Sequence, residues 1–141
     1  MNVTPDAVVP LLLEACPSLL PAWEEHLAWW QPEIPGLFND VSVFAHHVVD
    51  SYAAGRTSEF PAFFGAVEHL LSHGDHATRE LIVIGLLEDL QNVASHRSFG
   101  YGVFLSWLGP ASRAHWGALE AAWQGKTSLM DVLRAEARAR K

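Results

Sequence analysis

The residues of this sequence most able to bind a metal ion are its histidines, of which there are eight among 141 residues. His69 and His73 stand four positions apart in a predicted helix, so both imidazoles lie on one face and could share a metal ion. A helical bundle could bring His47 and Asp50 close to them. No Glu-x-x-His, His-Glu-x-x-His or paired-cysteine motif accompanies these residues. We therefore expect surface or capping histidines and no cofactor, and keep a metal site of His47, His69 and His73 as an alternative.

The sequence offers little for nucleophilic or acid–base catalysis. Its single cysteine, Cys16, precedes Pro17 and follows an apolar segment, which is typical of a buried structural thiol. There is no Gly-x-Ser-x-Gly elbow and no glycine-rich loop after a strand. Glu88 and Asp89 are adjacent on a predicted helix and point in different directions. These observations predict a protein without enzymatic activity.

The charges are distributed unevenly along the chain. Residues 1–55 contain seven acids and no lysine or arginine, and residues 56–125 contain seven acids and four arginines. The last sixteen residues are basic, and the formal net charge is −7. This balance argues against nucleic acid or an anionic membrane as a partner. The N-terminal acids are either scattered and solvated, or they form one electronegative face that attracts a basic protein.

The six tryptophans are the second candidate binding feature. Trp23 and Trp30 lie seven positions apart, as do Trp116 and Trp123, which places each pair on one helical face and favours core packing. Trp29 and its neighbour Trp30 cannot both face the core, so one of them lies at an edge or an interface. Tryptophan is also enriched in binding hot spots. The predicted partner-binding residues are Glu24, Glu25, Trp29, Trp30, Glu33, Asp40 and Asp50.

Capping residues, glycines and prolines divide the chain into helices. Thr4 and Pro5 begin the first helix, in which Pro10 predicts a kink, and Asp75 caps the fifth. Period-two alternation is not sustained anywhere, so strands are not expected. The predicted helices cover residues 5–15, 21–30, 40–54, 58–73 and 76–95, a short segment ending at 108, residues 111–123, and a segment from 129 into the basic tail.

Length and composition indicate one domain over residues 1–141, with a tail at 134–141 that frays. Half of the residues are apolar, which is enough for a core. The run 81–87 is apolar on all sides, and a helix of this kind is covered by its neighbours. We predict an all-α, irregular bundle of about seven or eight short helices with the central apolar helix at residues 76–95. One cysteine and the lack of a basic N-terminal segment favour a cytoplasmic protein.

A family resemblance is carried by the run 85–93, by Phe104-Leu105 and by the segment 108–112 that leads to Trp116, Leu119 and Trp123. Cys16-Pro17 and Trp23-Glu24 add to it near the start. The chain resembles, over about residues 15–125, small bacterial proteins of unknown function that we connect with immunity proteins encoded beside polymorphic or contact-dependent toxins. The resemblance implies a shared fold and an inhibitor function. Its motifs are packing and capping residues, so it implies no catalytic residues.

These observations together predict a binding module, most simply an immunity-type inhibitor that masks a basic toxin with an acidic face. Nuclease toxins are basic because they bind phosphates, and complementary fields accelerate and orient association. Two alternatives stay open. One is a helical-bundle metal-binding protein that uses the histidines, and the other is a helical protein that dimerises.

Overall fold

Seven α-helices make up most of the computed structural model, which describes residues 2–124. The all-α class is confirmed, and the described residues contain no strand beyond an isolated bridge between Val3 and Gly74. Three short 3-10 helices, Pro5–Ala7, Pro17–Leu19 and Tyr101–Trp107, connect the longer elements. The α-helices are α1 (Val8–Ala15), α2 (Leu20–Trp30), α3 (Leu37–Ala53), α4 (Phe60–His73), α5 (His76–Glu80), α6 (Glu88–Ser95) and α7 (Pro110–Gln124).

Local sequence signals explain where several helices begin. Asp75 accepts a hydrogen bond from the Thr78 amide at 2.8 Å, which confirms the predicted cap of α5. Helix α3 begins at Leu37, three residues ahead of its predicted start at residue 40, and Gly36, with a φ of 88°, turns the chain into the helix. Thr4 precedes a 3-10 helix, and α1 itself begins at Val8. Pro10 therefore lies in the first turn of α1, where its missing N–H costs no helical hydrogen bond.

The predicted central helix is confirmed as an unbroken helical run over residues 76–95. It consists of α5, a π-helical segment at Leu81–Leu87, and α6. Gly85 in this segment allows α3 to approach closely, since a β-carbon there would lie 2.9 Å from Cγ2 of Val41 and 3.0 Å from Cδ1 of Phe38. The glycine is therefore a packing requirement of the α3 contact.

Aromatic rings fill the core between α3, α4 and the 3-10 helix Tyr101–Trp107. Phe44 of α3 lies 6.4 Å from Phe63 of α4, measured between ring centroids. Phe60 contacts Trp107 edge-on at 5.0 Å. All three phenylalanines are buried, and offset or edge-on arrangements of this kind are favourable. The core thereby fixes the start of α4, which borders the site described below.

Glu68 attaches α4 to the start of α7. Its carboxylate accepts hydrogen bonds from the amides of Ala111 and Ser112, both at 2.9 Å, and from the Ser112 hydroxyl at 2.8 Å. A negative side chain at a helix N-terminus satisfies free amides and stabilises the helix dipole. Burial opposes ionisation of Glu68, but these hydrogen bonds outweigh it and lower the pKa of the carboxyl below 4.5.

Over residues 2–124, no single helix is long and apolar enough to cross a membrane. By length and composition alone, the pair Pro5–Ala15 and Pro17–Trp30 passes the same test, although it bends by 101°. The predicted helix from residue 129 and the predicted frayed tail at 134–141 lie outside the described residues.

Candidate functional site

Helix α2 and the loop after it expose the acidic and aromatic residues that the sequence singles out. Glu24, Glu25 and Glu33 are exposed. Trp29 is 83% exposed, and Ile34 in the loop is 93% exposed. We call these five residues the α2 surface. A single exposed apolar side chain is common on protein surfaces, whereas exposed apolar side chains grouped within a polar rim mark binding surfaces.

Helix α2 has no fully buried residue, so the core packing predicted for Trp23 and Trp30 is only partly right. Trp23 is half-buried and packs on Phe44 with a centroid distance of 6.2 Å. Leu27 is 40% exposed. Trp30 is half-buried against His26, so it is Trp29 that faces solvent.

A shallow groove of about 520 Å³ follows the exposed side of α2. Glu25 and Trp29 stand four positions apart and line it, with Ala22, Ala28 and Val43 as its apolar floor. The groove therefore combines a carboxylate, an indole and small apolar side chains. That composition suits a side chain with an aliphatic stem and a positive head.

Two predicted members of the acidic face are paired within the protein. Asp40 lies 2.9 Å from Nε2 of His26, and both side chains are largely buried. Asp50 accepts a hydrogen bond from the guanidinium of Arg97. On α2 and the loop after it, the exposed acids that form no ion pair with another described residue are Glu24, Glu25 and Glu33. The acidic face is thus smaller than predicted, and it centres on α2.

The structure separates the histidines of the alternative metal site. His69 stacks on His73 with a centroid distance of 4.6 Å, and both rings are on α4. His47 instead contacts Ser18, near the start of α2. Within residues 2–124, no group of three or more His, Cys, Asp or Glu side chains is arranged to hold a metal ion. The combination of His47 with His69 and His73 is therefore wrong.

A polar cluster that the sequence analysis missed joins three elements of the fold. The Ser18 hydroxyl donates to Oε1 of Glu59 at 2.6 Å, and the Ser18 amide donates to the same oxygen at 3.2 Å. Nε2 of His47 lies 2.9 Å from the Ser18 hydroxyl and 3.4 Å from that of Ser51. We call Ser18, His47 and Glu59 the Ser18 cluster. It connects the α1–α2 turn, α3 and the residue before α4.

The Ser18 cluster borders a half-enclosed cavity of about 660 Å³. Cys16 and Ser18 form one wall, His47 and Ser51 of α3 form another, and residues 55–60 form the third. Gly55, with a φ of 73°, reverses the chain at the end of α3 and so places the following residues against the cavity. Cavities of this size accommodate small ligands.

Burial determines the protonation states in the cluster. It lowers the pKa of His47 below 6.5 despite the nearby Glu59 and Asp50, so the imidazole is neutral at pH 7. Burial opposes ionisation of Glu59, but hydrogen bonds from Ser18 and Cys16 outweigh it and lower the pKa of that carboxyl. Burial and the adjacent Glu59 raise the pKa of Cys16 to about 12, which leaves an unreactive thiol.

The hydrogen bonds of the cluster do not follow the order of a catalytic triad. In a triad the histidine lies between the serine and the acid and receives the serine proton. Here Ser18 lies between His47 and Glu59, and with Glu59 ionised the hydroxyl donates to the carboxylate. The arrangement positions groups for binding, with hydroxyls, an imidazole and a carboxylate around one cavity.

Sequence reasoning missed this cluster because no local spacing reveals it. Ser18 lies 29 residues from His47 and 41 residues from Glu59. The available signals were a serine after Cys16-Pro17 and an acid before a helix, and each has a common local explanation as a capping residue.

The fold and the sites define an all-α protein with an acidic, aromatic outer helix and a half-enclosed cavity beside the Ser18 cluster. The chain belongs to the family described as "Domain of unknown function (DUF7674)", whose model matches residues 9–124. No curated protein and no solved structure matches the chain. Membership of an uncharacterised family agrees with the predicted resemblance to proteins of unknown function.

Proposed function

We propose that this protein is a non-enzymatic binding module that masks a basic protein through the α2 surface. The observation that carries the proposal is Trp29, 83% exposed on a helix that also exposes Glu24 and Glu25. An indole flanked by carboxylates supplies an apolar anchor and a charged rim, which are the parts of a typical binding hot spot.

The charge distribution supports a basic partner. Residues 1–55 contain no lysine or arginine, so no positive side chain of that segment offsets Glu24, Glu25 or Glu33. A surface of one sign accelerates association with a partner of the opposite sign and fixes its orientation. The resemblance to immunity proteins agrees with this, and we propose a basic toxin, such as a nuclease, as the partner class and the cytoplasm as the compartment.

Catalysis receives less support from the same geometry. The Ser18 hydroxyl donates its hydrogen bond to the carboxylate of Glu59 and not to the neutral imidazole of His47, although Nε2 lies 2.9 Å away. The hydrogen bond by which a histidine activates a serine is therefore not formed in this structure. The thiol of Cys16 is buried and stays protonated. These features favour binding over acyl transfer as the function.

The experiment begins with capture of partners from the source organism's lysate at low and high salt, followed by kinetics on the purified partner. The Glu24→Lys/Glu25→Lys variant is expected to lower the association rate at low salt by about tenfold and to flatten its salt dependence. The matched control, Glu14→Lys/Glu80→Lys, makes the same change in charge at exposed positions on other helices. Equal losses in both variants would contradict a localised acidic face.

Trp29→Ala tests the apolar anchor separately. If Trp29 is a hot spot, its removal costs about 2 kcal/mol, which is a roughly 30-fold faster dissociation. Leu105→Ala, which truncates another exposed apolar side chain, should leave the affinity unchanged. Sedimentation of the protein without a partner tests the alternative that the protein dimerises. A dimer that Trp29→Ala dissociates would assign the α2 surface to a second copy of this chain.

A further inference from the structure

The cavity beside the Ser18 cluster carries opposite charges on one short segment. Arg56 and Glu59 both line it and are three residues apart, which limits their α-carbon separation to roughly 10 Å. The Arg56 guanidinium is exposed and makes no ion pair or side-chain hydrogen bond with another described residue. Its five donors are therefore available to an acceptor that enters the cavity.

Glu59 is held in place and keeps acceptor capacity. Its two hydrogen bonds from Ser18 both end on Oε1, whereas an ionised carboxylate offers about four acceptor sites. The carboxylate is ionised because hydrogen bonds from Ser18 and Cys16 lower its pKa, and an ionised carboxylate at the edge of the cavity attracts a positive group. Arg56 also acts on His47 electrostatically, as does Glu59, so both charges lie near the same imidazole.

The remaining wall is neutral and rich in hydroxyls. Ser51, Thr57 and Ser58 line the cavity with Ser18, and His47 is neutral. Such groups hydrogen-bond a polar ligand without preferring either sign of charge. The two charged side chains therefore determine which ligand groups the cavity binds. A negative group of the ligand is expected at Arg56 and a positive group at Glu59.

We propose that this cavity binds a free α-amino acid, with its carboxylate on Arg56 and its ammonium group on Glu59. The two charges of an α-amino acid are separated by one carbon, and the long side chains of Arg56 and Glu59 can converge on them. The volume of about 660 Å³ leaves room for the ligand's side chain against the wall at Phe60 and Cys16. This site is distinct from the α2 surface, and the proposal stands independently of the proposed protein partner.

The test is calorimetric titration of the dialysed full-length protein with each of the twenty amino acids at up to about 10 mM, a range that detects millimolar affinity. Saturable binding of at least one amino acid is expected. Arg56→Gln should weaken it by about tenfold or more, and it should leave the fold intact because Arg56 is exposed and makes no ion pair or side-chain hydrogen bond with another described residue. The control variant Arg79→Gln changes another exposed arginine, on α5, and should bind as the wild type does.

Modified ligands test the two charges separately. The N-acetyl form of the bound amino acid lacks the ammonium group and its amide form lacks the carboxylate, and both should bind at least tenfold more weakly. Glu59→Gln should weaken binding of the amino acid but should not weaken binding of the N-acetyl form any further. The melting temperature of this variant shows whether its fold is retained. Absence of binding by all twenty would overturn the proposal. So would unchanged binding in Arg56→Gln, or equal affinity for the N-acetyl form, which would indicate an anion site only.

Discussion

Replacing Glu68 with alanine should destabilise the protein by about 3 kcal/mol. The variant removes three hydrogen bonds that the carboxylate accepts at the start of α7. A net hydrogen bond contributes roughly 1 kcal/mol, and bonds to charged groups contribute more. Ser112 is fully buried, so water does not simply replace the lost acceptor for its amide and hydroxyl. A loss of this size is a large part of the about 5–15 kcal/mol that stabilises a typical domain.

Two milder variants divide this effect into its parts. Glu68→Gln keeps an oxygen for the two Ser112 bonds but turns an amide donor toward Ala111, and it should cost about 1–2 kcal/mol. Ser112→Ala removes only the hydroxyl bond and should cost about 1 kcal/mol. The double variant Glu68→Ala/Ser112→Ala should then be roughly 1 kcal/mol less unstable than the sum of its single variants, because the shared bond is lost only once.

Urea unfolding followed by tryptophan fluorescence and by circular dichroism gives these free energies. The two signals should coincide if the protein unfolds in one step. A cost below about 1 kcal/mol for Glu68→Ala, with an unchanged urea slope, would refute the assignment of Glu68 as the capping group of α7. Strict additivity in the double variant would refute the shared bond.

Two further predictions concern packing and pH. Gly85→Ala should lower the free energy of unfolding by about 1 kcal/mol, because a methyl group 2.9 Å from Val41 overpacks the α3 contact and this cost exceeds the gain in helix propensity. Gly65→Ala is the control, since the space around Gly65 is open, and it should stabilise the protein. Equal effects of the two variants in urea unfolding would contradict the close approach of α3. The lowered pKa of His47 means that the unfolded chain binds a proton more readily, so stability should fall as pH drops below 6.5, and His47→Gln should reduce this loss. The lowered pKa of Glu59 adds a loss below pH 4.5. His47→Gln should retain most of it, because hydrogen bonds from Ser18 and Cys16 lower the pKa of Glu59 more than His47 does, and unfolding curves measured at each pH separate the two steps.

The helices could be predicted from the sequence because their signals are local. Asp75 caps α5 from three residues away, and Gly74 lies at the preceding helix end, so a short window contains the information. Helix α4 is a partial exception. Thr57 and Ser58 are the usual capping types, yet the helix begins at Phe60, because the tertiary contact between Ser18 and Glu59 fixes the residue before it.

The sites could be predicted only in part, because they depend on which distant residues pair. The sequence indicated that one of Trp29 and Trp30 leaves the core, since two adjacent side chains cannot share one helical face, but it did not indicate which one. It could not indicate that His26 would bind Asp40, which is 14 residues away, or that Arg97 would bind Asp50, which is 47 residues away. Non-local pairing of this kind removed two acids from the predicted face and formed the Ser18 cluster.

The packing of α2 itself supports its proposed role. Most helices of this fold bury an apolar stripe, and α3 and α4 each bury six residues. Helix α2 buries none, although it carries three tryptophans and two leucines. Burial of apolar area is the main source of folding stability, so the exposed side of this helix, unlike the half-buried Trp23 and Trp30, contributes little stability to the isolated protein. The unburied area on Trp29 and Leu27 is available to the interface that we propose, in which the adjacent carboxylates favour a partner with positive charge.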